Sequence, residues 1–289
     1  MIIRSLSLLT LALAFIGTAH AQLATSLALN KKQYLAGEPV LATVTITNHA
    51  GKDITFVGTG RTQWLSFLIK DGSGNSVTPR SGTTFGKMTI KAGESLARQV
   101  DLGQHFILTE QGNFSVGAII RMPGETTEGT STNRVLFNQS PGLLYWSQSV
   151  GIPGGSGQTR KYRLLNFAGD QKTQLYAQIV NERTGQFIHT FLLGDVLMLR
   201  KPLVTVDRKQ SMHVMFLATP TMWVHCTVDT DGKLINREIH QRGTQGDPQL
   251  LTFADGSVRV ANSIPYDQKA AAEAKAKIRK ASDRPAMTY

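Results

Sequence analysis

Cysteine is nearly missing from this 289-residue chain: Cys226 is the single one. That excludes an internal disulfide framework and any cysteine-rich zinc site. Charged residues reach only 18% against 41% hydrophobic ones, which excludes a largely disordered chain. The 27 glycines and 10 prolines follow no collagen period. Beyond residue 21 no segment offers 18 uninterrupted apolar residues, so no helical membrane span is expected there. Catalytic motifs are missing too. Gly154-Gly155-Ser156-Gly157 comes near a nucleophile elbow, but Gln158 follows and the next segment reads as a strand. The same loop lacks the Gly-Lys-Ser/Thr of a P-loop, and neither H-x-H nor H-E-x-x-H occurs. The sequence therefore assigns no catalytic residue, no cofactor, no cofactor-binding residue and no metal ligand, and it predicts a protein that is not an enzyme.

The amino terminus has an address. Met1–Arg4 carries one positive charge, Leu6–Ile16 is apolar apart from Ser7 and Thr10, and Ala19-His20-Ala21 is an A-x-A cleavage site. These parts predict a secretory signal peptide over 1–21, cleaved after Ala21. No cysteine follows the site, so a lipid anchor is not expected. The expected location is periplasmic or secreted. An unpaired thiol is safest there when buried, and Cys226 sits in the strand-like run Met222–Val228.

The rest reads as strands and turns. Val40–Asn48, Trp64–Lys70, Ser95–Leu102 and Asn113–Arg121 are strand-like, separated by turn formers such as Asp71–Asn75 and Ala92-Gly93-Glu94. Alternation in Phe114, Val116, Ala118 and Ile120 turns one face inward. Asn138–Gly142 holds turn formers, and the pattern restarts after it. Tight hairpins are expected at Glu182–Gly185, Asp229–Gly232 and Ala254–Gly256. The predicted class is all-β: a β-sandwich over 22–140, a second antiparallel β domain over 141–266 and a basic Ala/Lys-rich tail over 267–289. The second domain is left open between a meander, a sandwich and a propeller-like fragment. Asp267 is placed to cap a helix in the tail, which has a single large apolar residue, Ile278, before Pro285.

The order Tyr34, Gly37-Glu38-Pro39-Val40, Thr45-Ile46-Thr47-Asn48, Phe67–Lys70, the Asp71–Asn75 turn, Phe85, Ala92-Gly93-Glu94-Ser95 and Gly112-Asn113-Phe114-Ser115-Val116 is distinctive. It resembles bacterial immunoglobulin-like domains of the intracellular proteinase inhibitor family, over about Leu29 to Arg121. The matching residues are turn and core positions. The resemblance therefore implies an immunoglobulin-like sandwich and carries over no inhibitory residue; the second half resembles no family.

The net charge of +11 is spread out, but the tail has six basic and three acidic residues in its 23. That predicts weak contact with an anionic surface. No nucleic-acid partner is expected of an exported chain without a recognition motif.

Among chemical side chains, Asp229-x-Asp231-Gly232 reads as a hairpin turn and not a calcium loop. Glu125 and Glu128 read as solvated loop charges. Trp64, Trp146 and Trp223, with Tyr145 and Tyr162, read as core before they read as a stacking platform. His189, His213, His225 and His240 lie on or beside strands of the second half. With Asp195 and Asp207 they are the groups to test for convergence on a metal or for acid–base work; the default expectation is separate strand histidines with satisfied ring nitrogens. The sequence thus predicts an exported, non-catalytic binding or structural protein of the bacterial cell envelope or exterior, whose partner is an unknown protein or envelope polymer. A proteinase inhibitor is one alternative. A hydrolase or metalloenzyme with its site in the second domain is the other.

Overall fold

The computed structural model describes residues 22–281, apart from 59–62, 81, 83, 126, 127, 156 and 169–171. Residues 1–21, where a signal peptide is expected, Ser156 of the glycine loop and residues 282–289 of the tail lie outside the described residues. The protein is mostly β. In chain order the strands are β1 (Leu23–Leu29), β2 (Gln33–Leu35), β3 (Leu41–Asn48), β4 (Ile54–Val57), β5 (Leu65–Asp71), β6 (Lys87–Ile90) and β7 (Ser95–Asp101). After the short helix α1 (Leu102–His105) come β8 (Gly112–Ile120), β9 (Thr130–Ser131), β10 (Val135–Ser140), β11 (Leu143–Gly151), β12 (Thr159–Ala168), β13 (Thr173–Asn181) and β14 (Phe187–Asp195). Then follow β15 (Leu203–Val206), β16 (Met212–Thr219), β17 (Met222–Val228), β18 (Leu234–Arg242), β19 (Gln249–Thr252), β20 (Val258–Ala261), β21 (Ser263–Pro265) and helix α2 (Gln268–Ala281).

The chain divides into two compact units. The first takes the chain up to Lys32, then Val40–Leu108 and Gly112–Asn138; the second takes Gln33–Pro39, Thr109–Gln111 and everything from Gln139. In the first unit β1, β3 and β7 form one antiparallel sheet, β5 pairs with β8 in another, and β4 pairs with β6. Period-2 alternation sets the inner faces. Ala42, Val44 and Ile46 of β3, Leu65, Phe67 and Ile69 of β5, and Phe114, Val116, Ala118 and Ile120 of β8 are all buried. Strand β1 carries a thinner signal, since only Leu23 and Leu27 of its seven residues are buried, and the sequence pattern does not announce it. Helix α1 ends the run expected to stay extended to Leu102, because the Asp101 carboxylate accepts a hydrogen bond from the Gly103 amide at 3.0 Å and caps a turn.

In the second unit β11–β14 form a four-stranded antiparallel meander, and β15–β18 with β21 form a five-stranded sheet. One core joins them: Tyr162, Leu164, Leu175, Ala177 and Ile179 from the first sheet pack with Val214, Phe216, Val224, Cys226 and Val228 from the second. The segment Gln33–Pro39 belongs to this unit. Leu35 packs with Leu165, Phe167 and Tyr176, and the Gln178 amide donates to the Ala36 carbonyl at 2.9 Å. Gly37 makes that seat possible: its φ is +82°, and a Cβ there would meet the Phe187 ring at 2.8 Å. Gly37-Glu38-Pro39, quoted above for an opening turn of the first half, is thus seated on the second unit.

The three expected hairpins join β13 to β14, β17 to β18 and β19 to β20. Asp229 accepts from the amides of Asp231 at 3.0 Å and Lys233 at 2.8 Å, which makes it a turn residue. Asp267 accepts from the amides of Lys269 and Ala270 and caps α2. Trp64, Trp223 and Tyr162 are buried. The Trp64 indole donates to the Gly86 carbonyl, and the Tyr162 hydroxyl to the Gln210 carbonyl. Trp146 and Tyr145 pack on the second unit's core. Cys226 is fully buried, and burial pushes its thiol up to about 12. We therefore expect no reaction with a thiol reagent at pH 8 in the folded protein and one equivalent after denaturation. Fast labelling of the native chain would contradict that packing.

Candidate functional site

The strands β16, β17 and β18 set the site. Residues directly opposite each other in an antiparallel pair share a face. In β16–β17, His213 lies opposite Thr227 and Met215 opposite His225. In β17–β18, His225 lies opposite Glu238 and Trp223 opposite His240. His213, His225, Thr227, Glu238 and His240 therefore project from one face of the sheet. Val214, Phe216, Val224 and Cys226 project from the other, into the shared core. Beside the histidines, Met215, Leu217 and Trp223 make a second buried patch, covered by Leu197, Leu250 and Val260. Three imidazoles are thereby held in a largely dry setting: His213 is 7% exposed, and His225 and His240 are 5% exposed.

A register shift between Thr227 and Val228 creates this arrangement. Val228 pairs with Leu234, yet Thr227 pairs with Asn236, so Ile235 is an extra residue in β18. Such a bulge reverses which side chains face which side of the sheet. It places Glu238, and not Arg237, opposite His225.

The polar contacts run in a chain. The turn between β15 and β16 brings Asp207 beside His213; its Oδ1 accepts from the Ser211 amide at 2.8 Å, and its Oδ2 lies 3.3 Å from His213 Nε2. His213 Nδ1 lies 3.0 Å from His225 Nε2 and 3.3 Å from the Thr227 hydroxyl. The two rings stack at 5.3 Å between centroids, 14° from parallel. On the far side, His225 Nδ1 is 3.6 Å from Glu238 Oε2, and His240 Nε2 is 3.5 Å from the same oxygen. His240 Nδ1 lies 3.2 Å from the Ser263 hydroxyl of β21. His225 Nδ1 and His240 Nε2 are buried and make no hydrogen bond. The three atoms lie within 4.8 Å of one another.

Electrostatics follow from burial. Loss of water, with the neighbouring His213 adding to it, pushes His225 down to about 4 against the opposing pull of Glu238. Glu238 is held below the usual carboxylate range, first by a hydrogen bond from Asn236 and then by the histidines. Its side chain is half exposed and opens onto a pocket of about 440 Å³ lined by Arg237, Glu238, Ile239, His240, Pro265 and Tyr266.

Of the groups that the sequence puts forward, the fold gathers His213, His225, His240 and Asp207. It leaves out His189, an exposed residue whose ring meets Phe191 at 5.3 Å, and Asp195, which pairs with Lys172 at 3.0 Å. Glu125 and Glu128 are exposed loop residues. The gathered histidines differ from the default of satisfied ring nitrogens, since two of those nitrogens have no hydrogen-bond partner and face the Glu238 carboxylate at 3.5–3.6 Å. Glu238 is the residue that sequence reasoning missed. Its one local signal is Glu238-x-His240, a spacing of two within a strand-like run, which puts both on one face.

No family model matches the chain, and no curated protein matches it. Among solved structures, that of Spo0M, a sporulation control protein from Bacillus subtilis, aligns with 91% of this chain and 98% of its own at 10% identity. The TM-score is 0.27, too low to bear on architecture or activity.

Proposed function

We propose that this chain is an exported β protein of the cell envelope or exterior that binds one divalent transition-metal ion through His225 Nδ1, Glu238 Oε2 and His240 Nε2. One observation carries the reading: two buried, unpartnered ring nitrogens converge on a single carboxylate oxygen, at 3.6 and 3.5 Å. Ligands about 2.0–2.2 Å from a tetrahedral zinc ion sit roughly 3.3–3.6 Å apart; each nitrogen lies at that spacing from Glu238 Oε2, and the two nitrogens lie within 4.8 Å of each other. Two imidazoles and one carboxylate suit zinc, copper or nickel and not magnesium or calcium, which prefer oxygen alone. The half-exposed edge of Glu238 leaves room for water as a fourth ligand.

The binding reading stands ahead of a catalytic one. Among the described residues Glu238 is the one carboxylate lining the adjoining pocket, and as a ligand it is not available as a general base. A metal-dependent hydrolase is the second reading, favoured by that pocket beside an open coordination position. The finer reading of the first unit is an immunoglobulin-like sandwich, supported by its separate antiparallel sheets with one buried face each.

Calorimetric titration tests the site. Zinc is expected to bind one equivalent per chain, magnesium and calcium are not, and His225→Ala is expected to abolish the zinc isotherm. Absence of zinc binding, or an unchanged isotherm in His225→Ala, would overturn the assignment. Zinc-dependent hydrolysis of an activated ester, lost in the same variant, would move the second reading ahead.

A further inference from the structure

A metal ligand must present a lone pair, and an imidazole with one proton has one nitrogen to spare. We propose that Asp207 and His213 are positioning residues that fix His225 as its Nε2–H tautomer and so leave Nδ1 bare toward Glu238 and a metal. Only the consequence for metal affinity rests on the metal-binding reading; the tautomer is a property of the protein alone.

The argument is one of donors and acceptors. An ionised carboxylate only accepts. Asp207 Oδ2, 3.3 Å from His213 Nε2, therefore calls for the proton on that nitrogen. With that single proton on the ring, His213 offers an acceptor at Nδ1. His225 Nε2, 3.0 Å away, must supply the N–H, which strips Nδ1 of its proton. The Thr227 hydroxyl, 3.3 Å from the same His213 nitrogen, donates into the same lone pair. Two singly protonated rings have two protons for three gaps, and the gap left without one is the widest: His225 Nδ1 to Glu238 is 3.6 Å, against 3.3 Å from His213 Nε2 to Asp207, where the reverse pair would set two lone pairs face to face. Carboxylates commonly orient metal-bound histidines in this way, through one ring. Here the carboxylate acts through two stacked rings, so a residue on the β15–β16 turn decides which nitrogen is offered on β17.

Asp207 is anchored for that task. Its other oxygen is held by the Ser211 amide, and the neighbouring Gln210 has a left-handed backbone, with φ of 65°, that closes the turn. The anchor makes Asp207→Asn an informative substitution. The Ser211 amide requires an oxygen, so the new NH₂ must occupy the position facing His213. That amide donates where the carboxylate accepted, and both tautomers invert: His213 would carry its proton on Nδ1 and His225 on Nδ1 as well. The shape of the side chain is unchanged, and the ligand set is untouched.

The experiment has two readouts on the full chain. Nitrogen-15 histidine spectra of the metal-free protein report which ring nitrogen holds the proton. We expect Nε2–H for His225 in the parent and Nδ1–H in Asp207→Asn. Zinc titration of the same samples is expected to show affinity about 10–100-fold weaker in Asp207→Asn, the cost typical of losing an outer partner. His225 found as Nδ1–H in the parent would overturn the proposal, whatever zinc does. An Asp207→Asn spectrum and affinity equal to the parent would overturn it too, with zinc binding intact. If zinc fails to bind while the tautomers invert as expected, the metal reading falls and the relay stands.

Discussion

Replacing Glu238 with glutamine is expected to abolish zinc-dependent stabilisation without harm to the metal-free fold. The two effects have separate causes. In the metal-free protein the bare His225 nitrogen faces a carboxylate oxygen 3.6 Å away, and an oxygen cannot donate. A glutamine amide can, and a buried acceptor that gains a partner contributes about 1 kcal/mol. The hydrogen bond from Asn236 that favours the ionised carboxylate is weaker to a neutral amide and offsets part of that gain, so the variant is expected to stay within about 1 kcal/mol of the parent. With zinc the two diverge. A ligand at about 100 times its dissociation constant stabilises the parent by about 2.7 kcal/mol. For a cooperative unit of this size that is a rise of roughly 5–10 °C in Tm. Glutamine removes the single anionic ligand, so the same zinc concentration is expected to leave the variant's Tm within about 1 °C of its metal-free value. Thermal melts with and without zinc check both effects. A variant destabilised by well over about 1 kcal/mol without metal, or one that keeps the zinc shift, would contradict the role given to Glu238.

Phe216→Ala is expected to lower the unfolding free energy of the second unit by about 3–5 kcal/mol, the usual cost of deleting a buried phenylalanine ring. Phe216 is fully buried in the core that joins the two sheets of that unit. Its ring tip lies against Gly194, where even a Cβ would come within 3.2 Å, so the backbone of β14 leaves no slack to close over a cavity. Natural domains have only about 5–15 kcal/mol in total. Urea titration should show the loss, and Phe216→Leu should show about 1.5 kcal/mol or less, because most of the volume stays. A loss under about 1 kcal/mol in Phe216→Ala would mean that the two sheets do not share the core described.

Much of this fold is written in local pattern. Strands β3, β8, β16 and β17 alternate or run apolar in ways that a period of two reveals, and Asp229 and Asp267 announce their turn and cap. The all-β class follows from such segments. Strand β1 and helix α1 escape because their signals are small: two buried leucines in one, a single capping aspartate in the other. The site divides the same way. Parity along β16 and β17 puts His213 beside Met215 and His225 beside Trp223, and those faces are as the structure has them. What local pattern does not show is how β18 meets β17. Counting back evenly from the Asp229–Lys233 turn would set Arg237 opposite His225. The extra residue Ile235 shifts the pairing by one and brings Glu238 and His240 to the histidine face. A bulge depends on how the strand packs along its whole length, so a single residue's identity does not reveal it. Likewise Asp207 and Asp195 look alike in sequence, and only the tertiary fold gives one of them a histidine and the other a lysine.

X-ray absorption at the zinc edge, on the chain loaded with one equivalent of zinc, tests the central claim most directly. The account predicts a first shell at about 2.0–2.2 Å with the outer scattering of two imidazole rings. In His225→Ala, where zinc binding is expected to be lost, that imidazole signature should vanish with the metal. A shell of oxygen atoms alone, or two rings retained in His225→Ala, would contradict the assignment of His225, Glu238 and His240 as the metal site.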